Sequence, residues 1–374
     1  MAQKKLPIVI DNYVKSECWT QILLSIIQTS KAAPAWIAAH IGIIGTEEMD
    51  YNYGNLSKIF SYRNALDILN FEEVNIWNIK PENIVEYLKS EIDADNYMIV
   101  ELKHESDNKK KYWIHEQLIF GYDDKQQALF GSVLDNKKGR FVEISIPYDE
   151  MRDLYSNSYE HFKDPQNIND FIYWSRSNFL ISRVRLKKDY IPQGCEYDLL
   201  QNIVIEADGK EFTSVQYDSN RNILPHKTTY SGIACLIAAE KRIEKLLQDR
   251  HFIDKDTDIE YNDLFGQLAK KLAKDLYKLY EHRKMILDSL YWFYSVTKVI
   301  NPEDSLCIKK YAICCENVAV YYNVAQKFVY TRDWHVLEHL KNIFSAQYKN
   351  EHKALNELVL EMKNVWYRSR SFHI

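Results

Sequence analysis

"YWIHEQLIFGYDDKQQALFGSVLDNKKGRFVEISIPY", residues 112–148, holds three apolar runs rich in β-branched and aromatic residues, separated by the polar breaks "DDKQ" and "DNKK". Short runs of this kind, punctuated by turn-forming residues, read as strands joined by tight connections. A further run, "NYMIVELKH" (96–104), precedes them across "ESDN". Together the four predict an antiparallel meander over residues 96–148.

The texture changes on both sides of the meander. Before it, "PENIVEYLKSEIDA" (81–94) reads as a helix opened by proline, and "ECWTQILLSIIQ" (17–28) carries apolar residues at helical spacing. The remainder up to residue 95 reads as helical or irregular. After it, "FIYWSRSNFLISRVRL" (171–186) is one more β-like run, followed by a mixed connector containing "PQG". From residue 227 onward, segments such as "YSGIACLIAAEKRIEKLLQ" and "LFGQLAKKLAKDLYKLYEHRKMILDSLYWFYSV" place apolar residues three and four apart, with Asn301-Pro302 as a break. This half predicts an all-helical bundle, closed by a short basic tail, "YRSRSFHI". The expected fold is α+β: a sheet-bearing domain over 1–190 and a helical domain over 191–374 that covers the cleft of the first.

A chain of 374 residues is long enough for two cores. Its 48 Lys and Arg against 53 Asp and Glu leave a formal charge of -5, which argues against a broad basic surface and so against nucleic acid as the main partner. The start, "MAQKKLPIVIDNY", lacks the apolar core of a signal peptide, and polar residues interrupt each apolar run before it reaches membrane-spanning length. A cytoplasmic protein is expected, with no membrane partner. The six cysteines form no CxxC pair and no zinc-spaced cluster, so no metal and no bound cofactor are expected.

A thiol attacks as thiolate, which needs positive potential and a base, and the first turn of a helix supplies the potential. Cys18 sits at such a start, with Ser16 as the candidate N-cap. His115 lies in the middle of a strand and Asp135 at the end of the next, so antiparallel neighbours would let Asp135 hold His115 in the tautomer that a thiol base requires. Asn136 is the alternative to Asp135. Asn12, six residues before the cysteine, carries an amide able to join the Cys18 N–H in stabilising an oxyanion. Against these stand plainer readings: a free cysteine is commonly a buried small hydrophobe, and a strand histidine is commonly satisfied in the interior. His104, before a polar turn, is expected exposed. His226 with Cys235 resembles a second site, but Cys235 is expected to be core packing inside a helix. Cys314 and Cys315 are expected to point one inward and one outward.

The helix-borne Cys18 followed by Trp19, the amide of Asn12 upstream, "H-x5-G-Y-D" at His115–Asp123, and Asp135 before "RFVEISIPYDEM" give a layout that resembles papain-like cysteine enzymes. Within them it is similar to the branch holding bacteriocin leader peptidases and butirosin-type acyltransferases, over residues 6–150. The resemblance implies a Cys18, His115, Asp135 triad with Asn12 as oxyanion donor. Two positions depart from the peptidase pattern, Asn12 where Gln is usual and Trp19 where Gly is usual, and "HIGIIGTEEMDYNYG" echoes the glycine-rich segment of the butirosin type only faintly.

The function implied is acyl transfer: Cys18 takes an acyl group from the phosphopantetheine arm of an acyl or peptidyl carrier protein and passes it to a small amine. The closest kind within the resemblance forms amide bonds in nonribosomal polythioamide assembly of the closthioamide type, a secondary-metabolite antibiotic pathway. A cysteine peptidase or amidase acting on a small peptide, and a binding protein that kept the fold without the chemistry, are the alternatives.

Overall fold

The computed structural model describes residues 2–46, 51, 53, 67–105, 112–135, 140–164, 167, 181–214, 227–253 and 264–371. In chain order the elements begin with β1 (Gln3–Lys5), α1 (Cys18–Ile27), α2 (Ala33–His40), β2 (Ile44–Thr46), β3 (Leu69–Val74) and α3 (Ile84–Asp93). There follow β4 (Tyr97–Glu105), β5 (Tyr112–Asp123), β6 (Ala128–Asp135), β7 (Arg140–Pro147), α4 (Tyr148–Lys163) and β8 (Ile181–Leu186). The chain then continues through α5 (Cys195–Asp208), β9 (Glu211–Ser214), β10 (Lys227–Ser231), α6 (Cys235–Ile253), α7 (Leu264–Thr297), α8 (Leu306–Thr331) and α9 (Trp334–Ser371). The fold is mixed α+β with antiparallel sheets and a helical C-terminal region. It divides into two compact units: Met1–Ala33 with Ile59–Ile191, and Pro34–Lys58 with Pro192–Ile374. Residues 34–58 of the first half thus fold with the second.

In the first unit the meander β4-β5-β6-β7 is antiparallel throughout, and β8 and β3 extend the sheet to the order β3-β8-β4-β5-β6-β7. Leu69–Val74 is therefore a strand, not the helical or irregular segment expected there. Its partner β8 lies more than a hundred residues along the chain, so no local window carries that pairing. Strand β1 pairs with the far end of β5, Lys5 opposite Gly121, where the β5–β6 register shifts. The Gly-Tyr-Asp of this end has structural reasons. A Cβ on Gly121 would stand 2.7 Å from the Lys4 carbonyl, the Tyr122 hydroxyl donates to Asp93 at 2.9 Å, and Asp123 accepts from the Lys125 N–H at 2.8 Å in a turn. Gly121→Ala is expected to push β1 off the sheet and cost about 1–3 kcal/mol, read as a lowered urea midpoint.

Helix α1 is enclosed on every side, with Thr20 through Ile27 all buried, polar Thr20, Gln21 and Ser25 included, so it is an interior helix and not a surface one. Trp19 packs edge-on against Phe71 of β3, ring centres 6.0 Å apart.

The second unit is not purely helical. Strand β10 pairs with β2 and β9 in a small antiparallel sheet, and α5 occupies what the sequence reading treated as a connector. The turn from β10 into α6 passes through Gly232 at φ 55, where a Cβ would meet the Glu206 carbonyl at 2.6 Å. The long helices α7, α8 and α9 follow as expected, and α9 runs to Ser371, so the basic tail is helical to that point. Cys314 and Cys315 are both buried, not one in and one out, because the α8 face between α7 and α9 is wide enough to enclose both.

At the centre of this unit lies a fully buried ionic cluster drawn from α5, α7 and α9. Arg283 meets Glu351 at 2.6 Å and Glu206 at 3.7 Å, and its Nη1 donates to His282 Nδ1 at 2.7 Å. Because arginine only donates, Nδ1 accepts, which leaves the His282 proton on Nε2, 3.3 Å from Glu206. His282 is neutral. Gln347 donates to the second Glu351 oxygen at 3.2 Å, and the Ile43 N–H donates to Glu206 at 3.2 Å.

Candidate active site

Helix α1 begins at Cys18 itself. The residue ahead of it, Glu17, holds the cap position with extended backbone (φ -134, ψ 109) and no side-chain cap bond. Ser16 is therefore not the cap, because the helix starts one residue later than that assignment requires. As the first helical residue, Cys18 places its sulfur and its N–H at the positive end of the helix, outside the intrahelical ladder, which Gln21 joins through the Glu17 carbonyl at 2.9 Å.

The Cys18 sulfur stands 3.2 Å from His115 Nε2. The other ring nitrogen, Nδ1, lies 2.9 Å from the Glu116 main-chain carbonyl and 3.8 Å from the Glu116 carboxylate. A carbonyl only accepts, so Nδ1 carries the ring proton and Nε2 offers its lone pair to the thiol. That tautomer and that contact are what a base for a thiol requires. The His115 side chain is 25% exposed, and Cys18 is half-buried, so both can be reached from solvent.

Asp135 ends β6 opposite Arg140 of β7. The β5–β6 ladder pairs Leu118 with Ser132, and three further steps along both strands would set His115 opposite Asp135. The acid is thus on the neighbouring strand at the expected level. The ring's polar contacts, however, are with Cys18 and Glu116, and the orienting partner of Nδ1 is main chain. Asn136 lies outside the described residues.

Asn12 is 6% exposed and serves the loop before the helix. Its Nδ2 donates to the Gln21 carbonyl at 2.9 Å and reaches the Val9 carbonyl at 3.5 Å, while Oδ1 accepts from the Val14 N–H at 3.0 Å. Gln21 reciprocates by donating to the Ile10 carbonyl at 3.0 Å. The amide of Asn12, expected to serve an oxyanion, is engaged with main chain through both its nitrogen and its oxygen. Asn12→Ala is expected to lower stability by about 1–3 kcal/mol by orphaning these buried groups. A variant with unchanged stability and a lost turnover would return Asn12 to the oxyanion role.

Three features were not legible as site residues. Glu116 follows the histidine in a strand and signals nothing by itself. His104, expected exposed, is half-buried on β4: His115 pairs with Leu102, so His104 is its diagonal neighbour on the same face. The Arg283 cluster carries catalytic residue types but is sealed from solvent. Cys235 opens α6 in place of lying two turns inside it, and it is fully buried, which pushes its thiol up. His226 lies outside the described residues.

Burial also raises Cys307 to about 11 and Cys314 and Cys315 to about 12. At pH 7.5 iodoacetamide is therefore expected to label Cys18 well ahead of these four, with peptide mapping as the readout. Faster labelling of Cys235 or Cys307 would misplace the site.

Among the described residues no group of three or more His, Cys, Asp or Glu is placed to hold a metal ion, and no helix is long and apolar enough to cross a membrane. Fold and site define the class as a mixed α+β protein with a helix-start cysteine paired to a strand histidine. No protein-family model matches the sequence, and no curated protein matches it.

Proposed function

We propose that this protein is a cytoplasmic cysteine-nucleophile acyltransferase with a papain-like first unit, forming amide bonds in secondary-metabolite biosynthesis. The observation that carries the reading is the 3.2 Å approach of the Cys18 sulfur to His115 Nε2, with Nδ1–H held by the Glu116 carbonyl. In the first half-reaction His115 takes the thiol proton, the thiolate attacks the thioester carbonyl of a carrier-bound acyl group, and the first-turn N–H groups stabilise the oxyanion. The C–S bond to the phosphopantetheine arm breaks, and His115 returns its proton to that departing sulfur. An amine then attacks the acyl-Cys18 thioester and releases the cysteine as the amide forms.

The half-exposed, mutually directed pair supports catalysis over the reading of a binding protein that lost its chemistry. Intact-mass spectrometry after incubation with an acyl-carrier thioester and a mixture of amines tests the proposal. A Cys18 adduct with amide product supports it; free acid alone across all amines assigns the protein to the peptidase or amidase class, and no adduct of any kind removes the covalent mechanism.

A further inference from the structure

We infer that His104 is a second base of the Cys18 site, which takes the first proton from an ammonium acceptor so that the free amine attacks the acyl-Cys18 thioester. The inference rests on the acyl-transfer reading and specifies its acceptor as an alkylamine that arrives protonated.

An alkylammonium with a pKa near that of a lysine side chain, about 10.4, is almost wholly protonated at pH 7. It must lose two protons on the way to an amide, one to expose the nitrogen lone pair and one as the C–N bond forms. Water attacking the same thioester loses a single proton on the way to the tetrahedral adduct, so one imidazole is enough for a hydrolase. Two bases side by side are what an amine acceptor calls for. In the β4–β5 ladder Leu102 stands opposite His115 and His104 opposite Trp113, so the two histidines share a face as diagonal neighbours, a spacing of about 7–8 Å between Cα atoms. The shared face puts His104 on the side of the sheet where His115 meets Cys18. Burial, and then a positive charge on His115 whenever that ring is protonated, hold His104 below the ordinary imidazole range, so the ring is neutral at pH 7. The charged residues flanking it in β4, Lys103 and Glu105, pair with each other at 3.0 Å.

The steps balance. His104 takes a proton from R–NH3+, giving R–NH2 and a cationic His104. The amine lone pair attacks the acyl carbon, the C–N bond forms, and His115 takes the second N–H proton. The C–S bond breaks with its electron pair left on Cys18, the His115 proton returns to that sulfur, and His104 loses its proton to solvent. The products are the amide, the thiol and one released proton.

The test acylates Cys18 with a small acyl thioester, then measures single-turnover transfer to an alkylamine and to hydroxylamine, whose nitrogen is mostly unprotonated at pH 7. In His104→Gln, acylation should stay near the wild-type rate, while transfer to the alkylamine falls by about 10²-fold, the usual worth of a positioned base. Transfer to hydroxylamine should hold, and raising the pH toward that of the free alkylamine should restore alkylamine transfer. The ratio of the two transfer rates does not depend on the folded fraction, so His104→Asn gives the same reading if His104→Gln folds poorly. An unchanged ratio in both variants overturns the role of His104 while leaving acyl transfer intact. Absence of any Cys18 adduct in the wild-type protein overturns the acyl-transfer reading itself, and the role of His104 with it.

Discussion

His115→Ala is expected to lower acyl-thioester turnover nearly as far as Cys18→Ala, by about 10⁴-fold or more in each case, because nucleophile and base act as a unit. The double variant should be scarcely worse than either single one. The physical basis is the 3.2 Å contact: without Nε2 the thiol has no base to take its proton, and without the sulfur the imidazole has nothing to activate. Both variants should unfold at the wild-type temperature, since neither truncation orphans a deeply buried partner. Asp135→Ala should cost far less, because the ring proton is held by the Glu116 carbonyl, which no side-chain substitution removes. Glu116→Gln should likewise be mild. Multiplicative losses in the double variant would mean that the two residues act separately, and a collapse of turnover in Asp135→Ala would restore that acid as the orienting partner.

Arg283→Ala is expected to lower stability by about 3–5 kcal/mol, because it strands two buried carboxylates, Glu206 and Glu351, without their cation. With His282 neutral, the described cluster of Glu206, Glu351 and Arg283 carries one net negative charge; removing the guanidinium would leave two. Replacing Arg283 and both acids together by Met, Leu and Leu should recover much of the loss, since apolar groups of similar volume avoid the desolvation of charge. Urea unfolding at pH 7 measures both, and an Arg283→Ala protein within about 1 kcal/mol of wild type would show that the cluster is hydrated or relaxed in solution.

Acid should find the same weak point. Burial works to raise Glu206, but His282, Arg283 and the Ile43 N–H together hold it below the ordinary carboxylate range. Burial also holds His282 below the ordinary imidazole range. Both folded values lie under the unfolded ones, so each contribution is fully present above the unfolded pKa and is lost as pH falls. The loss should begin below about pH 6.5 through His282 and deepen below about 4.3 through Glu206. A flat urea midpoint from pH 7.5 to 5 would contradict the assignment of a neutral His282.

The meander could be read from residues 96–148 alone because each strand pairs with the next along the chain, so the partners lie close in sequence. The long helices were legible for a similar reason, their apolar spacing being a property of single segments. A cysteine at a helix start and a histidine within a strand could likewise be picked out by type and local setting. None of this reaches the pairings made across the chain. Strand β3 joins β8, and β2 joins β10, through backbone bonds whose partners are distant in sequence and whose residues look unremarkable in a local window. The same holds for polar satisfaction. Whether the Asn12 amide faces an oxyanion or the Gln21 carbonyl depends on how the preceding loop lies along α1. Which acceptor holds the His115 ring depends on a rotamer, and the Arg283 cluster exists only because α5, α7 and α9 bring Glu206, Arg283 and Glu351 to one buried point. Local periodicity reports which face of a segment is apolar; which groups meet inside is set by packing in three dimensions, where each buried polar atom must find a partner or bear the cost of desolvation.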